Sequence, residues 1–190
     1  MDNTRPSFTK RLIGHFMTIT THRNLVKSMC FKCGMISQGL KHDLSKYSFQ
    51  EFWPSVNYFQ GNRSPITYEK ELKGYSECWL HHKGRNKHHW EYWTDRKEYN
   101  MISHPMPYNY VLESVLDKIA ASKVYKKNDY TESYPLDFFM KSYEIHVMNE
   151  QTANQIKELL EYLKDYGEEK TLLHIKDLYK EYKQKEKKKN

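Results

Sequence analysis

The chain has 190 residues, 38% hydrophobic and 29% charged, with 31 Lys and Arg against 24 Asp and Glu for a net charge of +7. That length fits one domain, residues 1–190, and excludes a multidomain machine. The 15% aromatic content supplies core volume that a mean hydropathy of −0.95 understates, which argues against a disordered chain.

No apolar run of about 18 residues occurs. The start, Met1 to Arg11, is polar and carries Asp2 and Arg5, so neither a membrane span nor a secretory leader is expected and the reading is cytoplasmic. Phe8 to Cys33 fits one long or broken helix ending at Gly34, and Gly39 marks the turn before a second helix that includes His42. Cys30 and Cys33 have the spacing of a redox or zinc pair, but no second pair completes four ligands, and three cysteines with Cys78 form no disulfide framework. A shorter helix is expected over Phe49 to Phe59. Turn chemistry makes 60–65 a loop, with a helix through Tyr68 to His82 after it. Residues 83–107 contain Gly84, Asn86, Asn100, Pro105 and Pro107 and predict an extended connection of a length that often serves function.

Residues 108–127 are apolar almost all round (Val111, Leu112, Val115, Leu116, Ile119, Ala120), so that helix should be central. Ile156, Leu159, Leu160 and Leu163 form one helical stripe, Leu172, Ile175 and Leu178 another, and Gly167 between them predicts a helical hairpin. The expected class is all-α, a compact helical bundle. Residues 180–190 hold six Lys and two Glu. Such a basic tail attracts nucleic acid, but a solvated, fraying helix end is the plainer reading and is preferred.

Ten histidines are many for this length. The tightest pairing of imidazole and acid is His42-Asp43, with Lys46 one turn on. On a helix these neighbours diverge by about 100°, so one ion between them, or two neighbouring ions, would be needed to engage both. His81-His82 and His88-His89 flank the short link Lys83-Gly84-Arg85-Asn86-Lys87, which could fold both pairs toward one point. Imidazoles with carboxylates select Fe, Mn or Zn, with Mg as a further option. Asp117 lies in the apolar helix and needs a cation or several donors there; the plain alternative is a salt bridge to Lys123 or Arg85.

Taken in order, His22-Arg23-Asn24-Leu25-Val26, His42-Asp43-Leu44-Ser45-Lys46, the paired histidines and Val111-Leu112-Glu113-Ser114-Val115-Leu116-Asp117 resemble the His, His-Asp, His, His, Asp pattern of the HD-domain superfamily. The resemblance implies a helical, metal-dependent enzyme, commonly a phosphohydrolase and in a minority of members a di-iron oxygenase. The whole chain is also similar to a family of small proteins of unknown function, through Gln38-Gly39-Leu40-Lys41-His42-Asp43-Leu44-Ser45-Lys46 and His81-His82-Lys83-Gly84-Arg85-Asn86 to Tyr92-Trp93. The stretch between His22 and His42 is short for the superfamily, which keeps His15 open as the first ligand. The segment after Asp117 lacks the second acid of some cyclic-dinucleotide hydrolases.

The working ligand set is therefore His22, His42, Asp43, His82, His89 and Asp117, holding one or two divalent ions, with His81 and His88 as alternatives in their pairs. Asp43 and Lys46 are the expected catalytic residues, and Lys46, Arg63 and Arg85 the expected phosphate contacts. His104, His146 and His174 are read as packing or surface residues. Trp90, Tyr92, Trp93 and Tyr99 are read as packing more readily than as a base-stacking platform. The expected reaction is hydrolysis of a phosphate ester, a nucleotide or related phosphorylated small molecule. The rivals are a di-iron oxygenase on the same ligands and a non-catalytic interaction protein.

Overall fold

The computed structural model describes residues 6–142 and 144–189; the polar start with Asp2 and Arg5, and the last residue of the basic tail, lie outside the described residues. The chain folds as a mostly helical bundle. Helix α1 (Phe8–Lys32) runs from an N-cap at Ser7, whose hydroxyl accepts from the Lys10 amide, to Cys33, and Gly34 follows at φ +78°. Its buried stripe is His15, Ile19, His22, Val26, Met29 and Cys30.

Gly39 does not precede a helix but lies inside one, α2 (Ile36–Lys41), and His42 falls just after its end. The reason is a close crossing: a Cβ on Gly39 would stand 2.8 Å from the Cys30 Cβ, so only glycine lets α2 sit against α1. A 3-10 turn, Leu44–Tyr47, leads into α3 (Phe49–Tyr58). The helix expected through Tyr68 to His82 is two helices, α4 (Pro65–Lys73) and α5 (Glu77–Lys83). Gly74 at φ +81° ends the first, and the Ser76 hydroxyl accepts from the Trp79 amide to start the second.

The 83–107 connection contains a small antiparallel hairpin, β1 (Thr94–Lys97) with β2 (Asn100–Ser103), in register Thr94 to Ser103. Its first strand, Thr94-Asp95-Arg96-Lys97, is polar throughout and mostly exposed, so no alternation betrayed it.

Helix α6 (Tyr108–Lys126) is the central element. Val111, Leu112, Val115, Leu116 and Ile119 are fully buried between α1 and the C-terminal helix, each worth roughly 2 kcal/mol. After α7 (Tyr134–Lys141) and α8 (Glu144–Val147), α9 spans Glu150–Lys189 with a break at Gly167 (φ 79°, ψ 170°). Tyr162 and His174 stack across that break with ring centroids 4.5 Å apart. Twelve residues of unbroken helix would separate them by about 18 Å, so the chain folds back and Leu159, Leu160, Leu163, Leu172 and Ile175 share one core. The basic tail continues this helix as far as Lys189.

Candidate metal centre

Helices and loops from across the sequence aim side chains at one point. His22 projects from the buried face of α1. His42 follows α2, and Asp43 adopts a left-handed backbone (φ 53°), a conformation that Asp tolerates better than most residues. The sharp turn brings the His42 and Asp43 side chains together, in place of the divergence a helix would impose. Arg23 holds it there by donating to the carbonyls of His42 (3.2 Å) and Leu40 (2.7 Å). His82 comes from α5, His88 and His89 from the following loop, and Glu113 and Asp117 from one face of α6.

The donors form two groups that share Asp43. In the first, His22 Nε2 lies 3.0 Å from Asp117 Oδ1 and 3.3 Å from Asp43 Oδ2, while His42 Nε2 lies 3.4 Å from each of the same oxygens and 3.5 Å from His22 Nε2. Donors held about 2.1 Å from one divalent ion stand roughly 3.0–3.4 Å apart, so this spacing suits a single cation. In the second, Asp43 Oδ1 faces His82 Nε2 at 3.3 Å and His88 Nε2 at 3.5 Å, with His89 completing the group. Asp43 thus offers one oxygen to each.

Asp43 Oδ1 and Nε2 of His82, His88 and His89 are buried without a hydrogen-bond partner. Orphaned polar atoms in one place cost several kcal/mol unless something positive lies among them. Lys46 Nζ, 2.5 Å from Asp43 Oδ2, meets that need at the other oxygen. A cation fits the remaining donors. Burial alone would hold His42 and His82 neutral, but Asp43 together with Asp117 and Glu113 at His42, and together with Glu51 at His82, outweighs it and raises both imidazoles above their usual range. Burial, with His88 and His82 beside it, pushes His89 far down and keeps it a neutral donor.

The opposite ring nitrogens are tied back. Glu113 Oε1 accepts from His42 Nδ1 (2.9 Å) and His88 Nδ1 (3.2 Å), which accounts for the clustering of those three residues, and Glu51 Oε2 accepts from His82 Nδ1 (2.7 Å). Each carboxylate therefore fixes the ring orientation with Nε2 toward the centre, so that a bound cation, by displacing the Nε2 proton, would meet a bare nitrogen. Burial opposes the Glu113 charge, yet hydrogen bonds from His42 and His88 hold its carboxyl down at about 2. Gln38 steadies Glu113 from the other side at 2.7 Å. Sequence reasoning missed both glutamates. Glu113 carried a signal, standing one turn before Asp117 on the same apolar helix; Glu51 carried none.

The expected positions divide as follows. His22, His42, Asp43, His82, His89 and Asp117 come together, and His88 joins them beside His89 instead of replacing it. His81 turns away and donates to Glu51 Oε1 at 2.6 Å. His15 stays outside both groups, packed against Phe52 and Phe59, where burial and then Lys46 lower its pKa to about 4. Asp117 is not salt-bridged to Lys123, which pairs with Glu168. Cys30 and Cys33 are buried free thiols, and burial pushes Cys33 up to about 12, so they are packing residues in reduced form.

The centre opens into a cavity of about 550 Å³ lined by Lys46, Arg63, Lys70, Lys118 and Lys126 with aromatic walls that include Trp79, Trp90 and Tyr134. Arg63 lines it with its guanidinium engaged by Glu71 (2.7 and 2.9 Å) and Gln60 (2.7 Å), whereas Arg85 is exposed and outside the lining. Of the aromatic run, Trp90 and Trp93 pack on the core and Tyr99 is exposed.

No curated protein and no solved structure matches the chain. The model of a family of unknown function, DUF5662, matches residues 12–162, a span that takes in every donor from His22 to Asp117, and the chain belongs to that family.

Proposed function

We propose that the protein is a metal-dependent hydrolase of a phosphate ester, a nucleotide or related phosphorylated small molecule. The observation that carries this reading is the pair of donor sets that share the buried Asp43, with Nε2 of His82, His88 and His89 left unpaired, beside a cavity whose walls bear five cationic side chains. His22, His42, Asp43 and Asp117 would hold one ion and Asp43, His82, His88 and His89 a second. Five imidazoles with two carboxylates suit Fe, Mn or Zn better than Mg, which prefers oxygen ligands. When bound, such ions supply Lewis acidity toward a phosphoryl oxygen and acidify water to a nucleophile near neutral pH.

The chain's own residues do the rest. Lys46, fixed beside Asp43, presents an ammonium where charge develops on the phosphoryl and leaving oxygens. Lys70, Lys118 and Lys126 give the anion a positive cavity wall, while Trp79, Trp90 and Tyr134 offer apolar faces to its organic part. Glu51 and Glu113 hold the imidazoles in register. The HD-type resemblance agrees with this assignment. Its oxygenase branch would use the same donors, but a wall of cations favours a phosphate.

Metal content by plasma mass spectrometry on untagged protein tests the reading, followed by a phosphate-release screen over nucleotides and sugar phosphates. Close to two equivalents of Fe, Mn or Zn, lost in His42→Ala and Asp117→Ala, with release of phosphate by the wild type, is the expected result. Folded protein that takes up none of these ions would overturn it.

A further inference from the structure

The first quarter of the described chain has a surface unlike the remainder. Between Pro6 and Gln50 stand seven Lys and Arg and a single acid, Asp43, which is buried in the centre. The same region is apolar outside: among the described residues, 11 of the 22 exposed large hydrophobic side chains fall between Phe8 and Trp53. Ring contacts tie α1 to α3 at one place and to the 3-10 turn at another. Phe8 of α1 stacks on Trp53 of α3 (6.3 Å), Phe49 meets Trp53 (6.2 Å), and Phe16 meets Tyr47 of the 3-10 turn (6.1 Å). Ile13 and Met17 flank Phe16 on α1, at 57% and 56% exposure, and Phe49 stands out at 73%. Lys10 and Lys41 are exposed within the same region.

Protruding aromatic and aliphatic side chains in a segment whose exposed charges, Lys10, Lys32 and Lys41, are all positive and which has no exposed carboxylate between residues 6 and 50 match the headgroup layer of an anionic bilayer, where rings seat at the interface and Lys and Arg meet phosphates. A second copy of the chain would bring like charges face to face. A nucleic-acid backbone would leave Ile13 and Met17 in water. We propose that the face formed by Phe8, Ile13, Phe16, Met17, Phe49 and Trp53 docks the protein on anionic lipid surfaces, independently of the reaction assigned to the metal centre. No described helix is long and apolar enough to cross a membrane, so the association is peripheral.

The test is co-sedimentation of the untagged full chain with vesicles of phosphatidylglycerol and phosphatidylcholine in equal parts, and with phosphatidylcholine alone. Binding to the mixed vesicles only is expected. The double variant Phe16→Ser/Phe49→Ser, checked for an unchanged melting curve, lowers partitioning by about tenfold or more, whereas Leu173→Ser, an exposed residue of α9 (57%), leaves it unchanged. If the double variant melts early, Lys10→Glu/Lys41→Glu is read in its place, with a loss of the same order expected. Three results overturn the proposal: no vesicle binding by the wild type, undiminished binding by the variants, which would assign the attraction to the lysine tail, or a wild-type dimer in sedimentation velocity that the double variant abolishes.

Discussion

The two donor groups that meet at Asp43 are built from different materials. The first draws His22 and Asp117 from α1 and α6, long helices whose packing on each other is the core of the molecule. The second draws His82 from the seven-residue α5 and His88 and His89 from a loop. One group is anchored by apolar burial around it; the other depends on hydrogen bonds, with Asn86 donating to Ser45 Oγ (2.8 Å) and to the His82 carbonyl (2.9 Å), and Glu51 gripping His82. The first also has two carboxylates against one. The contrast teaches that, with the two ions proposed, the helical group should load first and hold its ion more tightly.

The largest effect should follow from breaking what the groups share. Asp43→Asn keeps the left-handed turn and the shape but removes charge from both, and metal content should fall from about two equivalents to near none, read by mass spectrometry. Next, His88→Ala should remove only the second ion, leaving about one equivalent, while His22→Ala should weaken the tighter one. Retention of both ions in His88→Ala would erase the distinction between the groups.

Smaller effects should come from the carboxylates behind the rings. Glu113 serves His42 and His88, so Glu113→Gln should weaken binding in both groups by about 10- to 100-fold, whereas Glu51→Gln should affect only the second, as resolved by calorimetric titration. His15 should report on the cavity wall without touching the ions. It is neutral when folded and takes up a proton near pH 6.5 when unfolded, so its contribution to stability is lost as pH falls from 6.5 toward 4, by about 2 kcal/mol at pH 5. Urea denaturation of His15→Leu should show a correspondingly flatter dependence than wild type, and parallel curves would contradict the neutral assignment. Least of all, Arg63→Ala breaks an exposed pair with Glu71 and should change stability by under about 1 kcal/mol.

The contrast also explains what could be read in advance. The long helices were visible because 3.6-residue periodicity is a direct image of burial, and His22 and Asp117 rode on them. Gly167 announced the fold-back through its break between two stripes. The choice between His88 and His89 lay in a loop without periodicity, where nothing selects one neighbour over the other, and both converge. Gly39 read as a turn because glycine serves turns and close helix crossings alike, and only the approach to Cys30 tells them apart. The Asp43 turn needed the fold itself, since its backbone is held by Arg23 from another helix. Arg85 was expected at the site because of its loop; pointing is decided by packing, and it faces solvent.

The cation-lined cavity has one more consequence, for encounter rates. Lys46, Arg63, Lys70, Lys118 and Lys126 surround an opening with low-dielectric aromatic walls, which gather field lines. On the proposed function, an approaching anion would be drawn in before any contact forms. At physiological ionic strength that reach is about 8 Å and it shrinks as salt is added, so under the proposed reaction capture should slow with rising ionic strength even where turnover of the bound phosphate ester does not change.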